Sequence, residues 1–223
     1  MDFLKNSLDF FLHLDEHLKQ MIIQHGPWIY AILFAIVFAE TGLVIMPFLP
    51  GDSLLFTAGV LSHPEIGGLN LWLVCVIFIV AALAGDNLNY FIGSQLGHRV
   101  FKSETSRFFK KSHLAKSHAF MEKHGPKAII LARFVPIVRT FMPFVAGMSD
   151  MTYLRFLRFS IIGALIWVGV CVGAGFLFGK IPAVQENFEL VILAIVGLTI
   201  IPIAIEVARH KMSEKKASSH QES

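Results

Sequence analysis

The chain has 223 residues, enough for one compact unit and too few for two sizeable domains. Apolar residues make up 55% and charged residues 16%, against about 45–50% and about 25% in soluble globular proteins. With a net charge of only +3, this balance excludes a disordered chain, a coiled coil and a soluble nucleic-acid binder, and it points to a membrane-embedded protein.

Residues 2–24 place Leu4, Leu8, Phe11, Leu14, Leu18 and Met21 at steps of three or four, with Asp2, Lys5, Asp9, Asp15, Glu16 and Lys19 between them. That spacing predicts an amphipathic helix lying in the membrane interface. The segment has no uncharged core with a small-residue cleavage site, so it does not read as a signal peptide. His13 and His17 sit one turn apart near Asp9, and they are read as a solvated face rather than a metal site.

Residues 28–49 are apolar except for Glu40, and the cluster Pro47, Pro50, Gly51, Asp52 follows. The apolar run from Ser53 to Leu61 is too short to cross a hydrocarbon core of about 30 Å at about 1.5 Å per residue. A hairpin over 28–62 that enters the membrane and turns back is expected. Residues 69–97 read as a spanning helix interrupted at Gly85-Asp86-Asn87.

Residues 98–127 carry eight Lys/Arg against Glu104 and Glu122. This is a basic cytoplasmic loop facing anionic headgroups, with an amphipathic helix over 105–124. Residues 128–147 are apolar in bulk yet contain Arg133, Pro136, Arg139 and Pro143. A plain spanning helix tolerates neither central arginines nor two prolines well, so a second re-entrant hairpin is expected, ending near Gly147. A glycine-rich uncharged span over 159–179 follows, broken at Lys180-Ile181-Pro182. A last span covers 188–208, and the tail 209–223 is polar. Cys75 and Cys171 lie within apolar runs and are expected to pack as small hydrophobes.

The expected fold is an all-α polytopic membrane protein with a single membrane domain over 1–208. Repeat one (1–97) reads amphipathic helix, hairpin, span, as 2–24, 28–62 and 69–97. Repeat two (105–179) reads the same way, as 105–124, 128–147 and 153–179, entering from the opposite face. Such inverted repeats are common among transporters. The Lys/Arg distribution puts the central loop and the tail in the cytoplasm and the N-terminus outside.

Glu40, Asp52, Asp86, Arg133 and Arg139 are the charges expected at membrane depth, with Asn87 and Thr140 as polar neighbours. Each charge costs between about 2.5 and more than 10 kcal/mol if it faces lipid. They must therefore face one another, water or a polar ligand. Internal salt bridging is one reading, and a substrate or proton site is the other. Two arginines and nearby helix N-termini suit an anion, because the guanidinium fork matches phosphate oxygens. The hairpin-breaking positions are Pro47, Pro50, Gly51, Pro136, Pro143 and Gly147.

The stretches FAETGLVIMPFLPGDSLLFTAG and ARFVPIVRTFMPFVAG closely resemble the DedA family of bacterial membrane proteins. The resemblance runs over nearly the whole chain and includes GDNLNYFIG, EKHG and the RHK tail. It implies two opposed re-entrant hairpins and a lipid transporter or scramblase of the bacterial cytoplasmic membrane. Some family members are implicated in returning undecaprenyl phosphate across that membrane. Others affect envelope integrity and use of the proton gradient, and eukaryotic relatives scramble phospholipids.

The expected function is therefore flipping of undecaprenyl phosphate or a similar anionic lipid, with coupling to protons or the membrane potential. A proton-coupled antiporter or a general phospholipid scramblase is the alternative. The expected partners are membrane lipids, an anionic polyprenyl-phosphate or phospholipid headgroup, and protons. No nucleic acid, cofactor or metal is expected, and oligomeric state is left open. No HExxH motif is present, and no nucleophile with a base stands beside the arginines, so an enzyme is not expected.

Overall fold

The computed structural model describes residues 26–42, 51–102, 111–149, 151–182 and parts of 184–194. The amphipathic helix expected at 2–24 lies outside the described residues, as do Pro47, Pro50, most of the span expected at 188–208, and the tail.

The described elements are helical. They are α1 (Trp28–Gly42), α2 (Gly51–Leu61), α3 (Leu71–Lys102), α4 (Lys111–His124), a 3-10 turn (Gly125–Lys127), α5 (Ala128–Ala132), α6 (Pro136–Met148) and α7 (Tyr153–Phe178). Among the described residues, two stretches are long and apolar enough to cross a membrane, Leu71–Gln95 of α3 and all of α7. Only about a third of each is buried inside the protein. Their outer faces expose Trp72, Val76, Val80 and Phe91 on α3, and Leu154, Leu165, Ile166 and Val170 on α7. A helix at the core of a soluble protein would bury such residues, whereas these suit lipid. The 15 residues of α1 and the 11 of α2 are each too short to cross.

The expected interruption at Gly85-Asp86-Asn87 does not occur, and α3 runs through it unbroken. The polar groups are satisfied without breaking the helix. Gly85 packs against Thr41 and Gly42 of α1, Asp86 pairs with Arg133, and the Asn87 amide donates to the Leu83 carbonyl one turn back, at 2.7 Å. Pro143 likewise lies inside α6 and does not end it. Pro136 begins that helix, at the position where a missing N–H costs nothing.

The short helices α1, α2 and α6 each find their main neighbour on a long one. α1 and α6 lie along α3, and α2 lies along α7. Two of these packings use the same device. A side chain on Gly59 of α2 would strike the Val172 carbonyl, and one on Gly175 of α7 would strike the Phe56 carbonyl. A side chain on Gly147 of α6 would strike the Tyr90 carbonyl, and one on Gly93 of α3 would strike the Phe144 carbonyl. The short helices carry Phe56-Thr57-Ala58-Gly59 and Phe144-Val145-Ala146-Gly147 at these crossings. Small residues there let backbones approach where lipid supplies no hydrophobic drive.

Beside a small cluster around Phe56 and Val60, the interior of the described residues holds two large apolar cores. One joins Leu33 and Val37 of α1, Leu55 of α2, Phe78 and Ala82 of α3, and Ala164 and Trp167 of α7. The other joins Tyr90 of α3, Ile129 of α5, Phe141 and Phe144 of α6, and Phe156 of α7. On α3, Asp86 falls between Ala82 and Tyr90. On α7, Ser160 falls between Phe156 and Ala164. The seam between the cores is where the charges sit.

Candidate anion site between the two cores

Five elements deliver the charged groups and Thr41 to this seam, and α7 adds Ser160 and Trp167. The last turn of α1 supplies Glu40 and Thr41, and the first turn of α2 supplies Asp52. Asp86 comes from the middle of α3. Arg133 follows α5 in the turn that leads to α6, and Arg139 lies in the first turns of α6.

Arg139 is held by two carboxylates. Its Nη1 donates to Asp52 Oδ1 at 3.0 Å, and its Nη2 lies 3.4 Å from Glu40 Oε1. The indole Nε1 of Trp167 donates to the same Asp52 oxygen at 2.7 Å. Asp52 thus spends its charge across elements, on α6 and α7. Gly51 abuts Glu40 so closely that any side chain there would overlap the carboxylate.

Arg133 forms the second pair. Its Nη2 donates to Asp86 Oδ2, and the Ser160 hydroxyl donates to that same oxygen. Arg133 and Asp86 are almost fully enclosed, with side-chain exposures of 6% and 5%. Glu40 and Arg139 are similarly enclosed at 5% and 10%, whereas Asp52 keeps 26%. Both arginines face one ring, their guanidinium carbons lying 4.6 Å (Arg139) and 5.8 Å (Arg133) from the Trp167 centroid.

Three carboxylates therefore meet two guanidiniums. The excess falls on the Glu40–Asp52–Arg139 group, where Glu40 Oε2 is buried without a hydrogen-bond partner. A narrow crevice lies between the pairs, lined by Thr41, Asp86, Arg133, Arg139, Thr140 and Pro143. Thr41 Oγ1 and Arg133 Nε are also buried without partners.

The structure thus brings Glu40, Asp52, Asp86, Arg133, Arg139 and Thr140 to one seam. Asn87 serves elsewhere, accepting a hydrogen bond from the Tyr153 hydroxyl at 3.0 Å. Gly51 and Gly147 act by close approach. Trp167, Ser160 and Thr41 are contributors that sequence reasoning passed over. The signal for two of them was present in α7, where Ser160 and Trp167 stand two turns apart on one face of an otherwise apolar helix. No group of three His, Cys, Asp or Glu suited to a metal occurs among the described residues. His13, His17 and Asp9 lie outside them.

Residues 49–177 match the VTT domain. Protein DedA of Escherichia coli (strain K12) is 50% identical over 218 residues, covering 98% of this chain and all of that protein. The chain belongs to the DedA family. Other relatives include an uncharacterized membrane protein of Mycobacterium tuberculosis (strain ATCC 25618 / H37Rv), 45% identical over 185 residues, or 83% of this chain and 81% of that one. The inner membrane protein YqjA of Escherichia coli (strain K12) is 36% identical over 155 residues, or 69% of each chain. No solved structure matches the chain. With relatives named as membrane proteins and two helices fit to cross a bilayer, this is a DedA-family membrane protein.

Proposed function

We propose that this protein is a lipid transporter rather than an enzyme, and that it moves an anionic lipid across the bacterial cytoplasmic membrane. Undecaprenyl phosphate or a similar polyprenyl phosphate is the cargo that best suits the seam. One observation carries the reading: two arginines are buried between the helices, and each is held by a carboxylate that a phosphate can replace. A guanidinium offers phosphate the same paired donors that it offers a carboxylate. Arrival of the headgroup then parts Arg139 from Asp52 and Glu40, and Arg133 from Asp86.

The proposed architecture is an inverted repeat of two re-entrant hairpins. The shortness of α1 and α2 supports it, as does the paired use of Phe-x-Ala-Gly where α2 meets α7 and α6 meets α3. Irregular backbone at membrane depth is tolerated where it lines a cavity. In this arrangement residues 98–127 and the C-terminal tail are cytoplasmic and the N-terminus is outside.

The uneven charge count supports proton coupling. A phosphate entering beside two carboxylates meets like charge in a poorly screened site. Uptake of a proton by one acid removes that repulsion, and release of the proton on the other side returns the arginine to it. A phospholipid scramblase or a proton-coupled antiporter using the same residues is the competing reading. Transport of polyprenyl phosphate and of phosphatidylcholine by purified protein in liposomes separates these.

A further inference from the structure

We propose that Trp167 is a positioning residue that couples the two ion pairs, so that a change at Asp86 and Arg133 is felt at Asp52 and Arg139.

Trp167 is fully buried, as a tryptophan in an apolar core would be. Its polar edge is placed differently from a packing residue's. The indole N–H requires a partner when buried, and it takes the Asp52 oxygen that Arg139 already uses. Its ring faces both guanidiniums, which bear like charges and would otherwise repel each other within one enclosed seam. An aromatic face attracts cations through its quadrupole, so one ring gives the two arginines a common support that survives departure of either carboxylate.

The rest of the α7 face continues the cradle. Ser160, Gly163 and Trp167 lie at i, i+3 and i+7, on one side of the helix. The Ser160 hydroxyl reaches Asp86 and lies 3.5 Å from Arg133 Nη2. A side chain on Gly163 would come within 2.9 Å of Arg133 Nε, so glycine there admits the arginine. One helix face therefore contacts both arginines and two of the three acids. Asp86 itself has no contact with Trp167 among those described, so communication between them runs through Arg133.

The test uses the full chain with Trp28 and Trp72 replaced by Phe. Both lie on the surface, 72% and 78% exposed, and outside the seam. Trp167 is then the only tryptophan, and its emission and iodide quenching are measured in detergent. Asp52→Asn is the positive control, because it alters the hydrogen bond directly. Ser160→Ala and Asp86→Asn are the tests. Coupling requires that both shift Trp167 emission, Ser160→Ala without removing a charge. An emission spectrum unchanged in either Ser160→Ala or Asp86→Asn, with Asp52→Asn shifted, overturns the proposal.

A second arm rests on the phosphate-lipid reading. Vesicles containing phosphatidic acid, vesicles of phosphatidylcholine alone, and free inorganic phosphate are titrated against the chain. A shift with phosphatidic acid alone identifies a lipid headgroup, and a shift with inorganic phosphate as well identifies the phosphate group itself. Because the Trp167 variants lack the reporter ring, their binding and that of the wild type are compared by anisotropy of a fluorescent phosphatidic acid in detergent. Loss of the ring in Trp167→Leu is expected to weaken phosphatidic acid binding by about tenfold, the scale of a desolvated cation–π contact. Trp167→Phe, which keeps a ring, is expected to recover most of it. Equal binding by wild type, Trp167→Phe and Trp167→Leu overturns the positioning role while leaving the phosphate reading intact. Absence of any lipid response in the wild type, with the emission shifts of the first arm present, overturns the phosphate reading and leaves the coupling standing.

Discussion

Gly51 and Glu40 occupy adjoining space, and the carboxylate of Glu40 stands where a side chain of residue 51 would be. The start of α2 is thereby pinned to the end of α1, and Glu40 is turned toward Arg139. Gly51→Ala is expected to push the carboxylate off Arg139 and to lower stability by about 1–3 kcal/mol, the usual cost of overpacking. Glu40→Asp in the same chain shortens the acid and should recover part of the loss. Thermal melting in detergent measures both. A Gly51→Ala variant as stable and active as wild type would show that the two helix ends are not held together this way.

Arg133→Lys and Arg139→Lys are each expected to lose most transport while still inserting in the membrane. Lysine keeps the charge and loses the planar fork, so it cannot bridge Asp52 and Glu40 as Arg139 does or offer a phosphate paired donors. It also stacks poorly on Trp167. Transport assays beside a membrane-fraction control separate the two effects. Near-normal rates from both lysine variants would reduce the arginines to plain counter-charges.

Much of this arrangement was legible in the residues. The spans at 69–97 and 153–179 followed from apolar length, and α3 and α7 occupy Leu71–Lys102 and Tyr153–Phe178. The five charges stood out because each is costly in an apolar run. Their pairing was not legible. Nothing in the one-dimensional pattern assigns Asp86 to Arg133 rather than to Arg139, because that choice depends on where α5 ends and how α6 crosses α3. The polar triplet Gly85-Asp86-Asn87 interrupts the apolar run, and in isolation nothing in the run shows what would satisfy it. Arg133 and the close packing of Gly85 on α1 do so, and the helix continues. Trp167 was hidden by its apolar surroundings, where a tryptophan reads as core until its N–H is traced to a carboxylate.

Glu40 and Asp52 are expected to fail in different ways. Glu40→Gln removes the enclosed carboxylate and leaves Arg139 paired with Asp52, so cargo binding should persist while the response to pH or potential is impaired. Each charge carried through the field responds by about 2.3 kcal/mol per 100 mV. Asp52→Asn removes the charge while keeping an amide oxygen as acceptor for Arg139 and Trp167, and should weaken both contacts. Liposome transport over a range of pH, with the potential clamped, reads the difference. Wild-type rates and pH profiles from both variants would make these acids structural partners only.

The orientation is checked with cysteine reporters at positions 3, 113 and 218 in a chain whose Cys75 and Cys171 are replaced by alanine. An impermeant thiol reagent is expected to label position 3 in intact cells, and positions 113 and 218 only after permeabilisation. Labelling of position 3 only after permeabilisation would place the N-terminus inside and end the inverted repeat.

The central claim is that the paired arginines carry a phosphate-bearing lipid. Its most direct test is movement of fluorescent polyprenyl phosphate and of phosphatidylcholine between the leaflets of liposomes holding the purified protein. The expected result is rapid movement of the polyprenyl phosphate and little of the phosphatidylcholine, lost in Arg133→Lys and Arg139→Lys. Equal rates for the two lipids, or a polyprenyl phosphate rate no greater than in protein-free liposomes, would contradict it.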